Sequence, residues 1–343
     1  MSRPVRMDAA DKTVSVVIAT YNGSVFIREQ LESVINQNFK PVEIIVSDDG
    51  STDATLDIAR SIAERSKIPF KININQTNLG FRDNFLNAAL SAKGDFVAFC
   101  DQDDIWDREK LERVATYFGN PNISMIVHAA ASLDQSTGKL VKFTQGIQRT
   151  GIKPPLSYDP WLTFFGFSIV FRRELLHLAD IDGRFRDFIV PKEKIAHDRW
   201  IVFLGQVVGE TAELNLPLVT YRQHATNLFG DGRRSHKAQA HDPIKELDDY
   251  IAATADMIAV IRDLPDATVA AFPLFDRGKA IHFFQRALHQ LQQRKRVYVS
   301  RSRPRGVWAV IRNIRGGVYR SVHHDAIRWR SIARDLKYCA IRS

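Results

Sequence analysis

Residues 14–35 read VSVVIATYNGSVFIREQLESVI, an apolar, β-branched run that turns polar at Thr20-Tyr21-Asn22-Gly23 and resumes with helical spacing. Val14–Thr20 has the length and composition of a strand, and Ser24 is placed to cap a helix carrying Ile27, Leu31, Val34 and Ile35. The alternation then repeats. Val42–Ser47 (VEIIVS), Phe70–Ile74 (FKINI) and Asp95–Cys100 (DFVAFC) read as further strands. Between them Asp53 can cap a pattern of Leu56, Ala59 and Ile62, and Phe81, Phe85, Ala89 and Leu90 share one face before Gly94 ends it. Such alternation predicts a mostly parallel central sheet covered by helices, an α/β fold.

Outward from that core the pattern changes. Trp106–Phe118 reads as a fourth helix with Leu111, Val114 and Phe118 inward, and Ile123–Val127 as another buried strand. Residues 130–165 keep no strong period, after which Gly166–Phe171 reads as a strand and Trp200–Leu204 as a short apolar helix. The composition shifts at Gly230–His241 (GDGRRSHKAQAH), and the period beyond is helical, through Ile244, Leu247, Ile251, Ile258 and Ile261 and then Ile281, Phe284, Leu288 and Leu291. The expected organisation is an N-terminal extension over 1–12, an α/β domain over 13–230 and a helical, basic region over 236–343.

With 343 residues, 45% of them hydrophobic and 25% charged, the chain can bury a sizeable core and does not have the composition of a disordered protein. No stretch approaches the 18 apolar residues of a membrane span. The start MSRPVRMDAADKT lacks an apolar signal region, and the only cysteines, Cys100 and Cys339, have no partner at metal-ligand spacing, so a cytoplasmic location is expected. The net charge of +9 is unevenly placed: residues 291–343 hold fourteen Lys and Arg against Asp325 and Asp335, which leaves the rest of the chain slightly acidic. From Val307, the residues Val310, Ile311, Ile314 and Val318 keep helical spacing with Arg312, Arg315 and Arg320 to the side. A solvated face, a nucleic-acid surface and a helix on anionic lipid all fit that pattern. The last, a peripheral contact through 291–343 with no nucleic-acid partner, is the expectation carried forward.

In an open α/β sheet a ligand sits beyond the carboxyl ends of the strands. Those ends are polar: Ala19-Thr20-Tyr21-Asn22-Gly23, Ser47-Asp48-Asp49-Gly50-Ser51-Thr52-Asp53, then Asn78-Leu79-Gly80, then Asp101-Gln102-Asp103-Asp104. No G-x-G-x-x-G or G-x-x-x-x-G-K-[ST] follows a strand, which argues against a dinucleotide dehydrogenase and a P-loop NTPase. Alternation along extended backbone lets Asp101 and Asp103 face one ligand, and Mg²⁺ or Mn²⁺ held by few carboxylates keeps positions open for the phosphates of a nucleoside diphosphate. Asp180-Ile181-Asp182 has the same spacing, but only Asp101 directly follows a buried run, Phe96–Cys100.

VSVVIATYNG, VEIIVSDDGSTD, NLG and CDQDDIW, in that order, resemble the nucleotide-sugar domain of family 2 glycosyltransferases with the GT-A fold. His197-Asp198-Arg199-Trp200 and Leu218-Val219-Thr220-Tyr221-Arg222-Gln223-His224 resemble later motifs of a subgroup that builds bacterial surface polysaccharides and includes rhamnosyltransferases. That subgroup usually has two aromatic residues after the His-Asp pair, and Arg199 replaces the first. The resemblance implies an inverting hexosyltransferase that takes its donor as a dTDP- or UDP-sugar and delivers to a glycan or lipid-linked acceptor. It implies Tyr21 and Asp49 at the nucleobase, Asp101 at the ribose or sugar, Asp103 at the metal, His224 at the metal or diphosphate, Arg82 at the diphosphate and Asp198 as the catalytic base. Thr20 and Asn78 fall in the same nucleotide-sugar set.

Plainer roles stand beside these. Asp49 and Asp53 lie in good turn and capping chemistry, and Asp53 is read as a cap. Asp198 is placed to cap a helix beginning near Arg199, Asp104 to start the helix after it, and a lone His224 is as often a satisfied polar residue as a ligand. A sugar nucleotidyltransferase shares the need for metal-bound carboxylates, but ATYNGS lacks the basic, glycine-rich loop such an enzyme uses after its first strand. A non-catalytic GT-A-like protein working through its basic end is the rival of another class.

Overall fold

A computed structural model describes residues 12–134, 136–224, 242–300 and 302–341. The expected boundary at Gly230–His241 and the extension up to Asp11 lie outside these residues. In chain order the elements are β1 Val14–Thr20, α1 Ile27–Ile35, β2 Glu43–Asp48, α2 Thr55–Arg65, β3 Phe70–Ile74, α3 Gly80–Ala89, β4 Phe96–Asp101, β5 Ile105–Trp106 and α4 Lys110–Ala115. They continue as β6 Ile123–Asp134, β7 Lys139–Phe143, β8 Gly151–Lys153, β9 Ile169–Arg172, α5 His197–Val208, β10 Glu210–Gln223, α6 Pro243–Asp263, α7 Asp266–Val269, α8 Arg277–Tyr298, α9 Arg303–Arg315 and α10 Trp329–Ile341.

One sheet runs β3-β2-β1-β4-β9-β6-β10-β5, with β7 paired to β6 and β8 to β10. The first four strands are parallel, and β1 lies between β2 and β4. Its continuous apolar run follows from burial on both faces: Val16 and Ile18 meet α1, α2 and α4, while Val17 faces a core shared with α3, α5, α6 and α8. β9 then enters antiparallel between β4 and β6, so the sheet as a whole is mixed.

Several local expectations change. Trp106 is not in a helix: it pairs in β5 with Val219 of β10, and α4 is only Lys110–Ala115. Ser24 is not the cap of α1; its N–H donates to Asp53 Oδ2. Asp53 is not the N-cap of α2 either, which is Ala54, but its Oδ1 accepts the Thr55 N–H and so ties the two loops. Gly166–Ser168 form a 3₁₀ turn before β9, α5 extends to twelve residues, and the fourteen-residue β10 fills a stretch that had no strand reading.

The C-terminal helices join the same body. Phe284 of α8 meets Phe203 of α5 edge to face at 5.7 Å, and Ile258 of α6 lies in the same core. The end of α8 packs with α9 and α10 around Val297, Tyr298, Val310 and Ile332. Asp335, fully buried there, accepts from Arg294 Nε and Nη2 at 3.0 and 2.8 Å and from the Tyr298 and Tyr319 hydroxyls at 2.6 and 2.7 Å. Among the described residues no helix is long and apolar enough to cross a membrane. Asp335→Ala leaves Arg294 without its buried counter-charge and lowers stability by about 3–5 kcal/mol in urea denaturation; a cost below about 1 kcal/mol would show that this network does not hold the helices.

Candidate active site

The strand order places β1 beside both β2 and β4, and the loops leaving their carboxyl ends meet. Asp48 closes the turn after β2 by accepting from Gly50 N, Ser51 N and the Thr20 hydroxyl. Ser51 Oγ accepts the Asn22 N–H, and Asn22 Oδ1 accepts that of Thr52. Gln102 binds the Tyr21 backbone on both sides, and a Cβ on Gly23 would displace its amide from that position. The Tyr21 ring is left 52% exposed above this platform.

Asp49 is almost fully buried, and its oxygens accept from Leu79 N at 2.8 Å, Gly80 N at 2.7 Å and Asn75 Nδ2 at 2.9 Å. Asn78 donates to the Asp49 carbonyl. Asp49 therefore pins the turn that opens α3, where Gly80 has a φ of +73°.

Asp101 ends β4. Burial, reinforced by the charges of Asp103 and Asp198 and opposed by Lys110, pushes its carboxyl up to about 8. Asp198 stands in the first turn of α5, where burial raises its carboxyl too, against the pull of Arg199; its Oδ1 accepts the Arg199 N–H at 2.7 Å. Strand β10 brings His224 Nε2 to 2.9 Å from Asp103 Oδ2 and stacks the imidazole on Phe26 at 4.6 Å. Asp101, Asp103, Asp198 and His224 thus converge from three separate elements.

The same region holds charged groups for which the motifs gave no role. Lys110 is fully buried, donates to the Phe167 carbonyl at 2.6 Å and lies 3.5 Å over the Trp106 ring; burial brings its ammonium down to about 7 despite Asp104 and Asp101 nearby. Its place on the inward, apolar face with Leu111 and Val114 was a readable signal. Asp104 does not start a helix: Oδ1 accepts from Arg222 N, while buried Oδ2 has no hydrogen-bond partner among the described residues.

One nitrogen of the Arg82 guanidinium is engaged within the protein. Its Nη1 lies 2.7 Å from Asp187 Oδ2 and 2.8 Å from the Lys194 carbonyl. Arg199 Nη1 meets the same Asp187 oxygen at 2.5 Å, and the Ile189 N–H donates to the other. Burial would raise Asp187, but Arg199 and Arg82 hold it below the usual carboxylate range. No local pattern marks Asp187, because its partners lie 105 residues before it and 12 after.

As a metal site the residues offer one oxygen from Asp103 and one nitrogen from His224, beside the raised carboxyl of Asp101 and a buried Asp104 oxygen without a partner among the described residues. Among the described residues no three His, Cys, Asp or Glu side chains stand together as a ligand set. A hard divalent cation with few protein ligands, its other positions filled by water and phosphate oxygen, fits this donor set.

Residues 15–178 match the family model described as Glycosyl transferase family 2. They belong to that family. The putative glycosyltransferase EpsH of Bacillus subtilis is 36% identical over 222 residues, 63% of this chain and 62% of its own. The Escherichia coli UDP-Glc:α-D-GlcNAc-diphosphoundecaprenol β-1,3-glucosyltransferase WfaP is 41% identical over 99 residues, 29% of this chain and 38% of its own. The chain spans less than two thirds of the length of these relatives. The crystal structure of S. aureus TarS 1–349 in complex with UDP-GlcNAc has a TM-score of 0.55 at 21% identity, covering 91% of this chain and 90% of that one, which shows the shared GT-A fold. Thr20 through Asp104 fall inside the family 2 match; Asp187, Asp198 and His224 lie beyond it.

His197, next to Asp198, stacks on Phe85 at 4.2 Å and meets Phe81 and Phe99 edge-on, with neither ring nitrogen hydrogen-bonded among the described residues. Burial first, then Arg184, Arg82 and Arg199, brings its imidazole down to about 3. The unfolded chain takes up that proton near pH 6.5 and the folded one does not until about 3, so stability is lost as pH falls through 6.5. The loss is about 2 kcal/mol for this residue by pH 5. His197→Phe is expected to lose correspondingly less stability between pH 7 and 5; an unchanged pH dependence in urea titrations would refute the assignment.

Proposed function

We propose that the protein is a metal-dependent, inverting glycosyltransferase that moves a hexosyl group, rhamnosyl among the candidates, from a nucleoside diphosphate to a hydroxyl of a glycan or lipid-linked acceptor. The observation that carries this is the convergence of Asp101, Asp103, Asp198 and His224 at the carboxyl ends of the parallel strands. Family membership of residues 15–178 supports the reaction class, and the UDP-GlcNAc bound by TarS supports a UDP-type donor over dTDP. WfaP, by its name, acts on a diphosphoundecaprenol-linked sugar, which supports a lipid-linked acceptor. Residues 13–230 form the catalytic unit and 236–343 its helical companion, at the inner face of the membrane.

Each residue then has a task. The exposed Tyr21 ring, with Thr20, Asn78 and Asp49 shaping the loops beneath it, forms the base pocket. Asp101 accepts a hydroxyl of the ribose or sugar. Asp103 and His224 would hold Mg²⁺ or Mn²⁺, whose charge offsets that of the departing diphosphate. Asp198 takes the acceptor proton as the hydroxyl oxygen bonds to the anomeric carbon; the bond from that carbon to the phosphate oxygen breaks on the opposite face, its electron pair leaving with the diphosphate. The raised Asp198 carboxyl is a stronger base than a solvated one. Arg82, held by Asp187, steadies this wall of the site.

A thermal-shift panel of UDP, dTDP, GDP, ADP and CDP, each with Mn²⁺, Mg²⁺ or EDTA, tests the donor site. UDP with metal is expected to stabilise the wild type, and Asp103→Ala to lose the shift. Asp198→Asn keeps the UDP shift and lowers turnover about a hundredfold or more. No shift from any nucleotide at millimolar concentration, or equal loss of UDP binding in both variants, would defeat this division of roles.

A further inference from the structure

Helices α9 and α10 lie side by side on α8, so close that a Cβ on Gly306 would fall 2.8 Å from Cys339 Sγ. Their inner faces, Val310 of α9 and Ile332 of α10, are buried. Their outer faces carry exposed apolar side chains among the basic ones. On α9, Val307, Trp308, Ile311 and Ile314 recur at helical spacing, with Trp308 61% exposed and both isoleucines 43%. On α10, Trp329 is 68% exposed and Leu336, two turns on, 39%. Soluble surfaces seldom carry such a row of large apolar side chains without a partner.

The charges beside these rows have one sign. α9 carries four arginines and no acid, and α10 carries Arg330, Arg334 and Lys337 with Asp335 as its only acid. Asp335 does not offset them, because it is buried on Arg294, Tyr298 and Tyr319. Arg312 lies 5.3 Å over the Trp308 ring, a cation carried on the apolar row itself.

We propose that the outer faces of α9 and α10 dock on an anionic lipid bilayer, the tryptophans and isoleucines entering the headgroup boundary and the arginines and lysine meeting lipid phosphates. A second copy of this chain would bring two cationic faces together and is disfavoured by charge. A nucleic acid would pair with the arginines but leave Val307, Ile311 and Ile314 unburied. The inference does not rest on the donor site; where that reading holds, docking places the enzyme where a lipid-linked acceptor resides.

The full chain is sedimented with phosphatidylcholine vesicles and with vesicles containing about 30% phosphatidylglycerol. Wild type is expected to partition onto the anionic vesicles about tenfold more than onto neutral ones, and the triple variant Trp308→Ser/Ile311→Ser/Trp329→Ser to lose about tenfold of that binding. All three residues are at the surface, and an unchanged urea midpoint confirms that the variant is folded. Arg312→Glu/Arg315→Glu, equally exposed, reads the charge contribution separately and is expected to abolish the preference for anionic vesicles. Wild type that stays in the supernatant, vesicle binding indifferent to the triple variant, or self-association or duplex-DNA binding through these residues in place of vesicle binding would each overturn the proposal.

Discussion

The carboxylates gathered at the end of β4 are the constraint around which the rest is arranged. Asp101, Asp103 and Asp104 occupy four consecutive positions with Gln102, in a site shielded enough that Asp101 is held up to about 8. Like charges so close, with little water to screen them, need compensation from the protein. It comes from three directions: Lys110 beneath the sheet, the Arg222 N–H at Asp104, and His224 at Asp103. The last two require β10 to run its fourteen residues along β6 and end next to β5, by the Asp103–Asp104 turn that follows β4. The long strand and the short α4 follow from the same need to bring distant chain to one acidic edge.

Much of this was readable because it is local. β1 and β3 fall on the residues that their apolar runs mark, and β2 and β4 are displaced by one residue; β1, β2 and β4 are buried on both faces and declare themselves without their neighbours, while the half-exposed edge strand β3 is marked by its alternation. What failed was long-range. Trp106 fits the period of Leu111 and Val114, yet its partner is Val219, 113 positions away and invisible to periodicity. The β10 pattern is broken by Asn215 and Pro217, where its register with β6 shifts. The sequence also does not show which carboxylate Arg82 meets. The pairing of Asp103 with His224 was reachable only through the order of motifs, since the spacing between them carries no information.

Half of the helical region is not separate from the α/β body. α6 and the start of α8 share a core with α5 and the sheet through Ile258, Phe284 and Phe203, whereas the end of α8, α9 and α10 form a smaller core around Asp335. The excess positive charge of the chain is concentrated in that second part. Segregation of this kind keeps the cations away from the acidic cluster, where they would compete with a bound cation or its counter-charges.

The replacement of an aromatic residue by Arg199 has a structural reading. Two guanidinia, Arg82 and Arg199, share the single Asp187, which leaves a unit of positive charge beside Asp198. That surplus opposes the burial that raises the Asp198 carboxyl and favours its ionised, proton-accepting form. It also links the two halves of the site through hydrogen bonds and one helix: Asp49 to the Leu79–Gly80 turn, α3 to Arg82, Arg82 to Asp187, Asp187 to Arg199, and the Arg199 N–H to Asp198. An aromatic side chain at 199 could pack there but could not take part in that succession. The departure from the subgroup pattern therefore joins Asp198 to α3 by charge, while Asp187, which no motif marks, is the residue on which both arginines converge.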